Sequence, residues 1–482
     1  MESKKRVAYF YDPEIGSYYY GPGHPMKPHR LRLTHSLVIH YGLANLMEVY
    51  RPRPAVEREL QAFHADDYIH FLKSVTPDNK DEHLEQLRRF CVGEDCPVFT
   101  GLYRYCQIYT GASIGGAVKL NYRNADVVVN WMGGLHHAKK AEASGFCYIN
   151  DIVLAILELL KHHARVLYVD IDIHHGDGVE EAFLATDRVL TVSLHKFGDG
   201  FFPGTGDLHN CGQGRGKGYS VNVPLKDGMT DEAYTFLFRP VMRRVMEIYQ
   251  PEVIVFHTGA DSLAGDRLGA FNLTMKGHAD CQQFMLQFGV PMLVLGGGGY
   301  KINNVARCWA YETGRILGQE LGDELPENEY QDAFAPDFRL HPPVRAEVEN
   351  LNTREYLQQL LSKLMANLSR LRPPDGVPFA ERPPDTLSAD EVEAQQPPRG
   401  HLWDGTPAAD ADSGSYGGAR GRGARVDMAA DSGADGPDMH GRAGEGGGNA
   451  VARPLKALAL NGGSLVGAPP GRDPAALLRA MR

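Results

Sequence analysis

Six short apolar runs, each ending in polar residues or glycine, constrain this chain more than any other feature. They are RVAYFY (6–11), DVVVN (126–130), RVLYVDIDI (165–173), RVLTVSLH (188–195), EVIVFHTG (252–259) and PMLVLGGGG (291–299). Between them lie helix-like stretches such as NDIVLAILELLKHH (150–163) and DEAYTFLFRPVMRRVMEIY (231–249). Continuous apolar strands alternating with helices predict an open, mostly parallel sheet covered on both faces, an α/β fold. In such sheets functional residues gather beyond the C-terminal ends of the strands. The polar punctuation falls at those ends.

The pattern stops near residue 375. From 401 to 482 there are 17 glycines, and Trp403 and Tyr416 are the only Trp, Tyr or Phe. Such a segment cannot bury a core. The chain therefore divides into a catalytic-type domain, 1–375, and a Gly/Ala/Asp/Arg-rich tail, 376–482, expected to be largely disordered. A formal charge of −10 argues against a general nucleic-acid binder and suits basic partners. Seven scattered cysteines without a CxxC pair predict a reducing compartment. No signal-peptide pattern opens the sequence and no apolar run reaches ~18 residues, so cytosol or nucleus is expected and no membrane.

The densest chemistry is LYVDIDIHHGDG (167–178), with Asp170, Asp172, His174, His175 and Asp177 inside eight residues. In a strand, residues two apart share a face, roughly 7 Å per two-residue step. One ion cannot take Asp170, Asp172 and His174 together while the strand stays extended. Where the backbone curls, Asp172 and His174 can converge on a cation and leave Asp170 to orient another group. A catalytic zinc needs three protein ligands and an open position. Asp261, just past the 252–258 strand, can be the third. An N-cap or a salt-bridged core cluster is the competing reading.

Two further clusters fit this site. In NWMGGLHHAKKAEASGFCYIN (130–150), Gly133 and Gly134 break the strand and His136 and His137 follow. Adjacent imidazoles beside a dication have coupled protonation. One of them can serve as base and later as acid, and Asp170 and Asp177 are free to fix their tautomers. In LGGGGYKINN (295–304) four glycines allow close backbone approach, and Tyr300 is held with its hydroxyl free to donate to an oxyanion. A phosphate cradle is the alternative, but GxxxxGK[ST] is absent.

Together these motifs resemble the class I zinc-dependent histone deacetylases. YYYGPGHPMKPHR (18–30), VGEDCPVF (92–99), EASGFCY (142–148), FFPGTGDL (201–208) and DSLAGDRLG (261–269) match as well, in order, over roughly 6–375. VPFAERPPD (377–385) is similar to the plant branch. The resemblance implies the arginase–deacetylase fold, with a central eight-stranded sheet. It implies Asp172, His174 and Asp261 as zinc ligands and the pairs His136–Asp170 and His137–Asp177, with His137 the better general base and acid. It further implies Tyr300 as the residue polarising the acetyl carbonyl. Gly145, Phe146, Phe202 and Leu268 match the walls and rim of a narrow tube, and Asp95 an acid that holds substrate backbone.

The resemblance also implies potassium. Ser193 and Leu194, with Asp170, Asp172 and His174, match one site, and Phe183, Thr186, Val189 and Tyr219 a second. Lys27 and Arg267 match inositol-phosphate contacts of corepressor-bound members, but Asn303 stands where an Arg is expected, with Lys301 two residues away. His257 and Thr258 stand where close relatives carry Gln and Cys. The loop HKFGDGFFPG (195–204) is one residue longer than in corepressor-type relatives. The implied activity is deacetylation of lysines in acetylated histone tails, in the nucleus, with corepressor subunits as partners. A deacetylase of small acylated amines and a non-catalytic corepressor-docking scaffold are the alternatives.

Overall fold

A computed structural model describes residues 5–343 and 348–371. The expected boundary near 375 and the whole tail lie outside the described residues. The strands are β1 Val7–Phe10, β2 Glu48–Tyr50, β3 Val127–Asn130, β4 Val166–Asp170, β5 Val189–Lys196, β6 Ser220–Leu225, β7 Val253–His257 and β8 Met292–Leu295. They form one eight-stranded sheet in the order β2-β1-β3-β8-β7-β4-β5-β6, every neighbouring pair parallel.

The six apolar runs all become strands. The expected helix over 231–249 forms as Asp231–Tyr249, and the one over 150–163 is shorter, Asp151–Leu159. β3, β4, β7 and β8 are buried along their whole length, which is why they read as unbroken apolar runs. The two strands absent from the sequence reading, β2 and β6, are the sheet edges. β2 has three residues and β6 carries Pro224, features that edges tolerate because one side needs no ladder hydrogen bonds. The parallel arrangement is complete in the described sheet, beyond the mostly parallel one expected.

Among the described residues all seven cysteines are free thiols, as the absence of a CxxC pattern predicted. None of the described helices is long and apolar enough to cross a membrane. The central strands β3, β8, β7 and β4 are consecutive neighbours. Their C-terminal ends lead into His136 and His137, Tyr300, Asp261, and the 170–177 cluster respectively, so four loops converge on one rim of the sheet.

Candidate active site

β4 ends at Asp170, and the backbone beyond it curls as expected. Asp172, His174 and Asp261 then bring three ligand atoms within 4.8 Å of one another, all buried. His174 Nδ1 lies 3.2 Å from Asp172 Oδ1 and 3.0 Å from Asp261 Oδ2. Donors bound tetrahedrally at zinc distances stand about 3.4 Å apart, so the cluster has the spacing an ion requires.

Electrostatics makes the same point. Burial and the Asp172 carboxylate push Asp261 up to about 7. Burial alone would depress His174, but hydrogen bonds to Asp172 and Asp261 raise it to about 10. Two carboxylates crowded in a dry site need a positive charge, and a dication supplies it. The glycines permit the crowding: a Cβ at Gly259 would fall 1.9 Å from Asp172 Oδ2, and one at Gly298 2.0 Å from Asp261 Oδ2. Gly298 N–H donates to Asp172 Oδ2 at 2.9 Å. The glycine run serves close approach here.

The paired imidazoles sit beside this cluster. After β3 the chain turns at Gly134, whose φ of +97° is a left-handed conformation that glycine takes without strain. Asp151 pins the turn by accepting from the N–H of Gly134 and, at 2.9 Å, of Leu135. His136 Nδ1 then reaches Asp170 Oδ2 at 2.8 Å, and His137 Nδ1 reaches Asp177 Oδ1 at 2.7 Å. Their ring centroids are 3.9 Å apart. Burial and the neighbouring His136 lower His137 to about 4. Burial works against the Asp177 carboxylate, but the hydrogen bond with His137 and the nearby His137, Lys139 and His175 together outweigh it and hold Asp177 at about 2. Asp170 is likewise held well below the usual carboxylate range, His257 and His136 overcoming burial.

Tyr300 is buried, with its ring 5.6 Å from that of Phe146 at 80°. Burial, then Asp261, raises its phenol well above the usual tyrosine value, so it stays a donor. Its backbone N–H is held by Asp266 Oδ2 at 2.7 Å. The candidate tube residues Asp95, Gly145, Phe146, Phe202 and Leu268 are all intermediate in exposure, whereas the catalytic candidates are buried. A burial gradient of this kind fits a channel from solvent to the cluster. Phe202 meets His137 edge-on at 4.9 Å, and a Cβ at Gly145 would touch both rings. Asp95 Oδ2 accepts from Gly145 N–H at 3.1 Å.

Several site residues escaped the sequence reading. Phe201 stacks on His174 at 5.1 Å and 7°, and His24 meets Phe146 edge-on at 4.7 Å while its Nε2 lies 3.2 Å from the Asp95 carbonyl oxygen. Asp266 joins the Tyr300 loop to Leu268, whose N–H it accepts at 3.0 Å. His175 belongs to a different set, between Thr205 and Glu180.

The potassium candidates fall into two groups. Ser193 and Leu194 are on β5 beside β4, with Ser193 the register partner of Asp170. Phe183, Thr186, Val189 and Tyr219 lie toward the start of β5, where the Tyr219 carbonyl accepts from Thr191 N–H and that of Phe183 from Thr186 N–H. Lys27 and Arg267 are exposed. Asn303 gives its amide to the Ala333 carbonyl at 3.3 Å.

A profile of the histone deacetylase domain matches residues 24–316, more than half of the chain. The chain belongs to the histone deacetylase family. It is 61% identical over 401 residues to histone deacetylase 19 of Arabidopsis thaliana, covering 83% of this chain and 79% of that one. Histone deacetylase 1 of Oryza sativa subsp. japonica is 61% identical over 396 residues, covering 82% of this chain and 76% of its own. Histone deacetylase 1 of Homo sapiens is 58% identical over 385 residues, covering 80% of each. The family is zinc-dependent, and Asp172, His174 and Asp261 are a buried set of donors suited to that ion.

Proposed function

We propose that this deacetylase hydrolyses the acetyl-lysine amide of histone tails at the Asp172–His174–Asp261 cluster. The observation that carries the reading is the facing of two buried imidazole–carboxylate pairs onto a three-donor cluster at the foot of an aromatic slot. Bound there, zinc supplies Lewis-acid polarisation of the amide and a lowered pKa for the attacking water.

The chain's own groups do the rest. Asp177, a carboxylate, accepts a hydrogen bond from Nδ1–H of His137 and so holds the tautomer in which Nε2 carries a lone pair. Nε2 accepts the proton of the attacking water and returns it to the departing lysine nitrogen. His136, held by Asp170, adds electrostatic support from the same loop. Tyr300 donates its phenolic hydrogen to the oxygen that gains charge. Phe146 and Phe202 line the lysine stem, whose four methylenes contribute about 0.8 kcal/mol each when buried, about 3 kcal/mol in all. Asp95 orients the substrate backbone at the rim.

Potassium at the Ser193–Leu194 and Phe183–Thr186–Val189–Tyr219 groups is part of the proposal, as are corepressor subunits as partners and a nuclear site of action. An inositol phosphate would meet Lys27 and Arg267, with Asn303 in place of a third cation, so weak binding is expected. The catalytic domain is taken to run to about residue 375, with 376–482 as its tail. Purified protein with zinc should release acetate from acetylated histone peptide, and His137→Ala should abolish that release while the metal stays bound. Zinc-loaded protein that yields no acetate even with a corepressor domain present would favour the docking scaffold.

A further inference from the structure

Behind the paired imidazoles, His257 makes a link that the residue roles above do not use. It ends β7, and register places it beside Asp170, the last residue of β4, so the two side chains leave the same face of the sheet. His257 Nδ1 lies 2.8 Å from Asp170 Oδ1, and Nε2 lies 2.8 Å from the Gly134 carbonyl oxygen. Its ring lies 4.6 Å from that of His136 at 23°, and it is fully buried.

Both neighbours are acceptors. A carbonyl oxygen has no proton to give. Asp170 already accepts from the Tyr168 hydroxyl at 2.7 Å and from Asp172 N–H at 3.0 Å, with His136 Nδ1 at 2.8 Å. Each ring nitrogen of His257 thus faces an acceptor. The result is a closed circuit: His136 to Asp170, Asp170 to His257, His257 to Gly134, and two residues of backbone from Gly134 to His136. His257 thus holds Asp170 directly and, through Gly134, the loop that carries His136.

We propose that His257 is a positioning residue for deacetylation, fastening Asp170 to the Gly134–His137 loop and so fixing where His136 faces the substrate. The proposal rests on the residue roles assigned above. Glutamine, which the resemblance places at this position in close relatives, can make only half of the link. Its amide nitrogen can donate to Asp170, but the amide oxygen cannot donate to a carbonyl.

The test compares zinc-loaded wild type, His257→Gln, His257→Leu and His137→Ala on an acetylated histone peptide, with zinc content and melting curves for each. Loss of an outer-shell orienting group costs about 10–100-fold in activity, so His257→Leu should lower kcat by about that factor with KM little changed. His257→Gln should recover most of the loss and stay a few-fold below wild type. A His257→Leu enzyme that folds, binds zinc and turns over like wild type overturns the proposal, because leucine fills the space without donating. Should His257→Leu fail to melt cooperatively, His257→Gln decides alone: a kcat equal to wild type overturns the proposal and a few-fold drop supports it. Wild-type turnover by His137→Ala would instead strike the assignment of the site itself, and the proposal falls with it.

Discussion

His137 Nδ1 stands 2.7 Å from Asp177 Oδ1, and Lys139 Nζ approaches the other Asp177 oxygen at 3.3 Å. The acid is thus held ionised from two sides, and the imidazole is held in the tautomer that leaves Nε2 unprotonated. Asp177→Asn removes the charge while keeping the shape. It should lower kcat by about 10²–10⁴, the usual range for general acid–base catalysis, with zinc content unchanged. Steady-state kinetics beside metal analysis checks this, and an asparagine enzyme at wild-type kcat would refute it.

The acid limb of the rate profile follows from His137. Its folded value is lowered to about 4 by burial and by His136. The neutral ring is the base, so activity falls as pH drops through that value, below the ordinary histidine range near 6.5. The unfolded chain binds this proton first. Stability from the group is therefore complete above about 6.5 and is lost as pH falls toward 4. A kcat/KM profile with its acid midpoint at or above 6.5 would contradict the assignment.

Tyr300→Phe deletes one hydroxyl from a buried ring. Losing a single oxyanion donor costs about 10²–10³ in kcat. The variant should bind substrate with nearly the wild-type KM and keep its zinc. If KM rises while kcat holds, the phenol acts in ground-state binding instead.

Metal removal should be reversible. Chelation is expected to abolish acetate release and lower the melting temperature, because the buried Asp172 and Asp261 carboxylates lose their compensating charge. Added zinc should restore both. Asp261→Ala should hold no zinc under conditions in which wild type holds one ion per chain, and elemental analysis reads this directly.

Phe146 presents a half-buried ring next to Tyr300. Phe146→Ala opens one wall of the lysine slot and gives up part of the roughly 3 kcal/mol of stem burial. KM for the acetylated peptide should rise several-fold, while the pH profile stays in place. An unchanged KM would remove Phe146 from the substrate wall.

Much of this protein is written in local patterns. Period-two spacing at the end of an apolar run already pointed to Asp172 and His174 as neighbours apart from Asp170, and their ligand atoms do lie together with one from Asp261, because strand geometry and donor distances are short-range facts. The central strands were legible for the same reason: burial on both faces demands continuous apolar residues. The edges β2 and β6 were not: β2 has only three residues, and β6, although buried, is interrupted by Ser220, Asn222 and Pro224. Tertiary structure alone decided that His257 and Asp170 are register partners, that Phe201 lies on His174, and that Asp266 ties Tyr300 to Leu268. Each of these depends on which strands neighbour one another and on how closely glycine lets two loops approach. Those are long-range properties, set by the packing of the whole sheet and absent from any window of sequence.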